Sequence, residues 1–312
     1  MTSSAVATQV RRRSLSGRGT DWRGLIFQGL LALTLLFSLT VLVVLLLDVV
    51  LRGAPVFAER GADFLTSEVS SRPDRAGVIQ GIQGSLLVVA IVAVTAIPIG
   101  IMTAVYLEEY ARDDRLTRFI SVNIRNLAGV PSIVYGLLGL ALFVGTFRTL
   151  GLGVSGNGRI VFAGGLTMAT LVLPIVIITA TEALRAVPNA IREAGYGVGA
   201  SKWQVTRQLV LPAAIPGILT GVVLSLARAL GETAPLILAG AVLGSYSSGG
   251  KDFFEQLLGA YTALPMIIFN WTKESSPEFR ELAAAGIVVL LAVTLLANTL
   301  AIYLRNRFER SW

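Results

Sequence analysis

Apolar residues in this chain form long continuous runs rather than the short alternating pattern of a half-buried strand. The runs cover residues 25–50, 78–107, 122–147, 160–182, 213–241 and 282–304. Each is long enough to cross a bilayer as a helix, which needs about 20 residues. A transmembrane β-barrel would instead alternate apolar and polar positions in short segments. The pattern therefore predicts six transmembrane helices and an all-α membrane protein.

Composition supports this class and removes several chemistries. Hydrophobic residues make up 54% of the 312 positions and charged residues only 14%, whereas soluble domains carry about a quarter charged residues. The chain has no cysteine and no histidine. Disulfides, thiolate nucleophiles and an HExxH protease site are therefore excluded. We predict no catalytic residue and no metal ligand.

The first apolar run is predicted to be a retained helix rather than a signal peptide. It is longer than a usual signal core and lacks a small-residue cleavage site before Asp48. The predicted organisation is a disordered basic tail (1–24), a first helix with an external loop (25–77), a transmembrane core (78–304) and a C-terminal tail (305–312).

Lys and Arg are concentrated in both tails and in the loops 108–125 and 183–212. Such residues mark cytoplasmic segments, so we expect both termini in the cytoplasm and the protein in the cell membrane. The net charge of +7 does not indicate nucleic-acid binding, because no basic stripe is interleaved with aromatic residues. Asp113 and Asp114, with their Arg neighbours, are predicted to lie in a solvated loop.

Proline and glycine interrupt several of the predicted spans. In a membrane such bends persist where neighbouring helices or water satisfy the freed backbone groups. Packing between bent helices explains any one of these residues, but together they suit helices that surround a cavity or move. They are Pro98, Gly100, Gly129, Pro131 and Pro174.

The longest predicted cytoplasmic loop, 183–212, contains two short helices. The first is expected to start near Ala190, after Pro188, and to end in a glycine-rich stretch. Ser201 is placed to cap the second, with Gln204 at the capping-box position. The glycine spacing does not fit a dinucleotide loop. Two interpretations remain: an amphipathic helix on the lipid surface, or a docking site for a cytosolic partner.

Residues Glu193-Ala194, Gly199, Leu209 and Leu211-Pro212 resemble the EAA loop of ABC importer permeases. Gly195 and Leu209 depart mildly from that pattern. The resemblance implies coupling helices that contact a separate ATPase subunit, and we name the loop 183–212 the EAA loop. The implied contact residues are Glu193, Ala194, Gly195, Tyr196, Gly199, Lys202 and Trp203.

The chain has no GxxxxGK[ST] loop to hold nucleotide phosphates. ATP and Mg²⁺ are therefore expected on the partner ATPase, and this chain is not expected to be an enzyme.

Four further stretches resemble the PstA-type permeases of high-affinity phosphate ABC importers. They are "GVPSIVYGLLGLALFV" (129–144), "EALRAVP" (182–188), "LARALGETAPL" (226–236) and "ALPMIIFNW" (263–271). The resemblance covers about residues 80–305 and implies the type I (MetI-like) permease fold, with one extra helix before a five-helix core. It also implies four partners: phosphate, a PstC-type permease, a PstB-type ATPase dimer and a PstS-type binding protein.

Arg228 and Glu232 lie inside an otherwise apolar run, four residues apart on one predicted helix face. A charge at the bilayer centre costs about 2.5 kcal/mol or more, so it usually meets a cavity or a partner. A structural ion pair is one interpretation. The other is a substrate pathway, in which the guanidinium binds phosphate oxygens. Further pathway candidates are Arg185, beside Glu182, and the hydroxyl-bearing residues Ser132 and Tyr135.

The external loop 242–281 joins a Gly/Ser-rich piece to an apolar stretch from Phe253 to Trp271. We expect this stretch to lie in the membrane interface or to dip back into the membrane, with Trp271 at headgroup level. Two alternatives remain for function. One is an ABC permease for sulfate, molybdate or another solute, and the other is a membrane scaffold or channel outside the ABC class.

Overall fold

The computed structural model describes residues 22–153, 156–241 and 253–308, and all regular structure in these ranges is helical. The helices are α1 (Trp22–Arg60), α2 (Ala62–Thr66), α3 (Ile79–Val105), α4 (Arg115–Ala128), α5 (Ser132–Gly139), α6 (Gly145–Thr149), α7 (Val161–Arg185), α8 (Asn189–Gly197), α9 (Lys202–Val205), α10 (Leu211–Gly231), α11 (Ala234–Ala239), α12 (Phe253–Leu257), α13 (Leu264–Lys273) and α14 (Pro277–Phe308). Wider π-helical turns occupy Tyr106–Tyr110 (π1), Leu140–Val144 (π2) and Thr206–Val210 (π3).

The prediction of six spans in an all-α protein is confirmed for the described residues. Six helical stretches there are long and apolar enough to cross a membrane. Their bounds are Trp22–Arg60, Ile79–Tyr110, Ser132–Thr149, Val161–Arg185, Lys202–Gly231 and Pro277–Tyr303. The predicted tail 1–24 and the Gly/Ser-rich piece fall largely outside the described residues. α14 extends to Phe308, so part of the predicted C-terminal tail is helical.

The third predicted span, 122–147, is wrong as one continuous helix. α4 ends at Ala128, and α5 begins at Ser132 after a break that contains Pro131. Proline has no N–H to donate, and its ring collides with the carbonyl four residues earlier, here that of Leu127. The span that crosses is therefore Ser132–Thr149.

The segment before this break is also more ordered than predicted. Asp114 caps α4, because its Oδ1 accepts a hydrogen bond of 2.8 Å from the N–H of Thr117. Asp113 pairs with Arg118 at 2.9 Å. Both aspartates lie in an exposed loop before α4, as predicted, and there they also organise the start of that helix.

Residues up to Leu51 form a unit of their own. Its described part is the first stretch of α1, in which nearly every side chain is exposed. This stretch is the most apolar of the six spans and has no buried residue in its central window.

The second unit, Arg52–Trp312, contains the helical core. α3 and α7 form its most extensive helix pair, and α10 packs against both of them. α14 packs against α10, and α13 packs against α14. The side chains buried between α3 and α7 include Val92, Met168 and Val172. We call the end of this bundle that carries residues 183–212 the EAA-loop end.

An aromatic cluster holds the opposite end of the second unit together. Phe64, Trp271 and Phe279 stack in sequence, with both ring-centroid distances at 6.3 Å. Trp271 is 1% exposed. This side chain is therefore enclosed by protein and packs α13 against α14 instead of facing lipid, while its level relative to the headgroups stays a prediction.

The contact between α5 and α11 depends on a glycine. A Cβ added at Gly136 would lie 2.9 Å from the Cα of Pro235, closer than real Cβ atoms approach backbone. Glycine at this position therefore lets the short helices α5 and α11 pack directly on each other.

We expect Gly136→Ala to separate α5 from α11 and to destabilise the protein by about 1–3 kcal/mol, the usual cost of overpacking. Thermal unfolding in detergent measures the effect. Gly145→Ala is the matched control, because the nearest atom to its added Cβ lies at 3.7 Å. Equal unfolding temperatures for the two variants would contradict the assigned contact.

Candidate functional site

Arg228 and Glu232 form a direct ion pair at the end of α10. The Nε of Arg228 donates a hydrogen bond of 3.1 Å to the Oε1 of Glu232. The N–H of Glu232 also donates to the backbone carbonyl of Arg228 at 3.1 Å. The spacing of four residues thus brings the two charges together within a single chain.

Glu232 does not continue the helix that carries Arg228. α10 ends at Gly231, and Glu232 has an extended backbone with φ −80° and ψ 123°. Pro235 explains this break, because its missing N–H and its ring prevent a bond to the carbonyl of Gly231. The helix resumes as α11, with Pro235 in the first turn. The predicted uninterrupted span 213–241 is therefore wrong, and Glu232 lies at a break.

Arg228 lines an open cavity between α4, α7 and α10 with a volume of about 330 Å³. The Arg228 side chain is 40% exposed and that of Glu232 is 23% exposed. The charge of Arg228 is thus accessible from the cavity and is paired with a carboxylate, as expected for a charge within a membrane span. The other lining residues are mostly aliphatic or small: Ala128, Ile175, Ile178, Thr179 and Leu224.

The two hydroxyl candidates lie on α5, beside the first break. Tyr135 is buried, and its hydroxyl donates a hydrogen bond of 2.8 Å to the backbone carbonyl of Leu127. That carbonyl lies four residues before Pro131, which cannot bond to it. The Tyr135 hydroxyl therefore uses its one hydrogen to stabilise the backbone at the break between α4 and α5. Ser132 is partly exposed in the first turn of α5. A pathway role for either residue stays a prediction.

Arg185 belongs to a second charged cluster at the EAA-loop end. Its Nε donates to the Oε2 of Glu108 at 2.8 Å, and its NH1 lies 3.7 Å from the Oε1 of Glu182. The NH2 of Arg125 lies 3.7 Å from the same oxygen. At 3.7 Å neither of these two contacts is a hydrogen bond. Two guanidinium groups therefore converge on one loosely held carboxylate oxygen.

This second cluster opens into a cleft of about 470 Å³ between π1, α4 and α7. Arg112, Arg118 and Asp113 line the cleft as well. The hydrogen bond from Arg118 lowers the pKa of the Asp113 carboxyl below its ordinary value, so this group stays ionised at neutral pH. Ile178 lines both this cleft and the Arg228 cavity. The two charged sites are therefore neighbours along α7.

The break and the cap predicted for the EAA loop are confirmed, but its second helix is not separate, because α9 continues through π3 into α10. α8 ends at Gly197, and Ser201 caps α9 through a complete capping box with Gln204. Gly199 joins the two helices with φ +80°, a conformation that disfavours every side chain. Gly195 is buried against Val205, where the Cβ of an alanine would lie only 2.8 Å from a methyl group.

The loop presents an exposed surface beyond this packed interior. Tyr196 and Trp203 are 44% and 59% exposed, and Lys202 is exposed as well. Glu193, Ala194 and Gly199 are also exposed. Apart from Gly195, the residues that the sequence indicated for a partner contact therefore lie on one accessible segment.

Two buried charges at the EAA-loop end have no counterpart in the sequence-based prediction. Arg192 donates to Glu109 at 2.8 Å, and their side chains are only 16% and 5% exposed. The residues are 83 positions apart, so no local spacing indicates the pair. The only signal was two adjacent glutamates, Glu108 and Glu109, at the polar end of an apolar run.

The chemistry available at these sites is that of guanidinium and carboxylate groups. Within residues 22–153, 156–241 and 253–308, no group of three or more His, Cys, Asp or Glu side chains is placed to hold a metal ion. The arrangement offers cations that are accessible and only partly neutralised, which suits reversible binding of an oxyanion.

Comparison with known proteins defines the class. Residues 96–310 match the model of the family described as "Binding-protein-dependent transport system inner membrane component". This match covers most of the chain, and the chain belongs to that family. A bacterial alginate ABC transporter, crystallised with a periplasmic protein bound to alginate pentasaccharide, shares the fold. The TM-score is 0.62 at 14% identity, over 93% of this chain and 99% of the other.

Curated relatives narrow the family further. "Phosphate transport system permease protein PstA 1" of Mycobacterium tuberculosis is 35% identical over 239 residues, or 75% of this chain and 72% of the relative. The PstA protein of Yersinia pestis is 34% identical over 86% of this chain and 85% of its own length. The chain is therefore a multi-pass permease of the PstA family, with the type I importer permease fold.

The positive φ of Gly199 generates a prediction about the EAA loop. Alanine in this conformation costs about 1–2 kcal/mol, although no atom lies within 4 Å of the added Cβ. We expect Gly199→Ala to speed amide exchange in α8 and α9 roughly 5- to 30-fold, in proportion to the weakened local structure. Hydrogen-exchange mass spectrometry measures this change.

Gly197→Ala provides the matched control, because its added Cβ also meets nothing within 4 Å and its φ is not positive. Exchange in this variant should not become faster than in the parent chain, because alanine favours a helix over glycine. Identical exchange in both variants would show that the left-handed turn does not limit the stability of the loop.

Proposed function

We propose that this chain is the permease subunit of an ATP-driven importer of inorganic phosphate and forms one half of its translocation pathway. Family membership supports the transport role, and the curated relatives are named phosphate transport permeases. The observation that carries the substrate is Arg228, a cation that is accessible from an open cavity and held by one carboxylate.

The proposed orientation places both termini and the EAA loop in the cytoplasm, in line with the excess of Lys and Arg on those segments. The proposed partners are a PstC-type permease, which completes the pathway, and a PstS-type phosphate-binding protein at the opposite face. A PstB-type ATPase dimer binds ATP and Mg²⁺ and docks on the exposed EAA-loop surface. This division leaves no catalytic step to the permease.

Phosphate would meet Arg228 first and the Arg185 cluster later. The cavity of Arg228 and the cleft of Arg185 share Ile178, so α7 provides one continuous wall between them. At both sites a guanidinium is already held by glutamate, through Glu232 or Glu108. An arriving anion must compete with that carboxylate, which keeps binding weak enough for release. Arg125 adds a third cation to the same route through its contact with Glu182.

Removal of the Arg228 charge should strongly reduce phosphate transport while the subunits of the complex stay assembled. A charge-assisted hydrogen bond contributes about 1.5–3 kcal/mol, so Arg228→Ala should lower kcat/KM for phosphate import roughly 10- to 150-fold. Uptake of radiolabelled phosphate by proteoliposomes that contain the whole complex measures this loss.

Arg72→Ala is the matched control, because Arg72 forms an exposed pair with Asp74 outside the two charged sites. Its uptake should stay within about twofold of wild type, since such pairs contribute about 0–1 kcal/mol. Normal uptake by Arg228→Ala, with the subunits still co-purifying, would remove the proposed phosphate site.

Glu232 is expected to contribute to the choice between phosphate and sulfate. Hydrogen phosphate keeps an O–H group that can donate a hydrogen bond to a carboxylate. Sulfate has no such group at neutral pH. Glu232→Gln should therefore reduce the preference for phosphate by at least about tenfold, the effect of one hydrogen bond to a charged group. Competition between the two anions for uptake measures it.

In this competition assay Asp74→Asn should leave the preference unchanged. An unaltered preference in Glu232→Gln would assign the carboxylate to holding Arg228 alone. Equal uptake of sulfate and phosphate by the wild-type complex would instead favour a permease of broader oxyanion specificity.

A further inference from the structure

Three consecutive residues of π1 each contact a different cation. Glu108 binds Arg185 of α7 and Glu109 binds Arg192 of α8, each at 2.8 Å. The Nζ of Lys202, the first residue of α9, lies 5.2 Å from the ring centroid of Tyr110. Successive side chains of a helical turn point in different directions, so π1 is held from three sides. All three cations lie within residues 183–212, and two of them belong to the loop helices α8 and α9.

Arg192 makes the strongest of the three attachments. Its Nε and NH2 both donate to the Oε1 of Glu109, at 3.2 and 2.8 Å. The same guanidinium donates to the carbonyls of Leu184 (2.9 Å) and Val187 (2.7 Å) and to the side-chain oxygen of Asn189 (3.3 Å). One side chain therefore ties α8, the end of α7 and the end of α3 together.

The backbone at this junction is suited to a firm attachment rather than an exchangeable one. The carbonyls that Arg192 binds lie at the C-terminal end of α7, where the last helical carbonyls lack intrahelical partners and carry partial negative charge. Glu109 is 5% exposed and Arg192 is 16% exposed. Solvent and passing ions therefore have little access to either charge.

The attached helices lead directly to the charged cavity. α3 and α7 form the most extensive helix pair of the chain. On α7, Ile175, Ile178 and Thr179 line the cavity of Arg228. A displacement of α8 that is carried through Arg192 to α3 and α7 would therefore move a wall of that cavity.

We propose that Arg192 and Glu109 are positioning residues that transmit movement of the EAA loop to α3 and α7. The inference rests on the proposed function, in which an ATPase docks on this loop. The ion pair, together with the carbonyl contacts of Arg192, makes α8 and the adjoining ends of α3 and α7 move as one body. Without the ion pair the ATPase still hydrolyses ATP, but the wall of the Arg228 cavity no longer moves with the EAA loop.

The test compares ATP hydrolysis and phosphate import in the same proteoliposomes, with the full four-component complex. For Arg192→Gln and Glu109→Gln we expect import to fall at least tenfold while hydrolysis stays within twofold. The phosphate imported per ATP hydrolysed therefore falls at least fivefold. Arg192→Lys keeps the charge but loses most of the carbonyl contacts, so its ratio should fall between wild type and Arg192→Gln.

Arg72→Gln is the control for loss of an arginine–carboxylate pair, and its ratio should match wild type. A ratio equal to wild type in Arg192→Gln and Glu109→Gln overturns the proposal, whether or not both rates fall together. If these variants do not assemble, Arg192→Lys decides by the same criterion. Failure of the proposed function has a different signature: a wild-type complex in which phosphate import does not depend on ATP.

Discussion

The charged site depends on two breaks in the helices, each a few residues before a proline. Pro131 ends α4 and Pro235 ends α10, and in each case the helix stops three or four residues before the proline. Pro98 and Pro174, by contrast, lie inside the continuous helices α3 and α7. In a membrane, backbone that leaves a helix must be enclosed by protein or line a cavity. Both conditions are met here. Tyr135 bonds the carbonyl of Leu127, and Arg228 lies one turn before the second break, beside its cavity.

The two breaks are also in contact. The short helices that follow them, α5 and α11, pack where Gly136 approaches Pro235. Ala128, the last residue before the first break, lines the same cavity as Arg228. The cavity therefore lies where the two interrupted helices meet. The breaks in the backbone and the charge of Arg228 thus occur at the same place.

Much of this arrangement is readable from the sequence, because it is encoded locally. The six apolar runs predict the spans, and Ser201 with Gln204 predicts the cap of α9. The four-residue spacing also brings Arg228 to Glu232. The breaks before Pro131 and Pro235 could not be located from proline alone, because Pro98 and Pro174 lie inside continuous helices.

Contacts between distant segments could not be predicted in this way. The pair of Arg192 and Glu109 joins residues 83 positions apart, and that of Arg185 and Glu108 joins residues 77 apart. The apolar contacts of Trp271 with distant segments could not be predicted either. Its place in a membrane-interface pattern gave no indication that Phe64 and Phe279 would enclose it.

A single chain supplies only part of the enclosure that such a cavity needs. No residue of α4 is buried, although this helix borders both charged sites. On α5, Ile133 and Leu137 are more than half exposed. In the proposed heterodimer the second permease covers such surfaces and completes the wall around Arg228. This explains why a side chain at a helix break remains accessible from one side.

The arginines of the second unit differ in how firmly they are held, and this difference separates their roles. Arg228 has one hydrogen bond to a carboxylate at 3.1 Å and is 40% exposed. Arg192 contacts a carboxylate, two carbonyls and an amide oxygen and is 16% exposed. An incoming oxyanion can replace one exposed carboxylate, because water and the anion compensate for the lost contact. It cannot replace four acceptors, three of them on buried residues, whose geometry the fold maintains. In the proposed mechanism the same residue type therefore serves as an exchangeable ligand at the cavity and as a fixed attachment at the EAA loop.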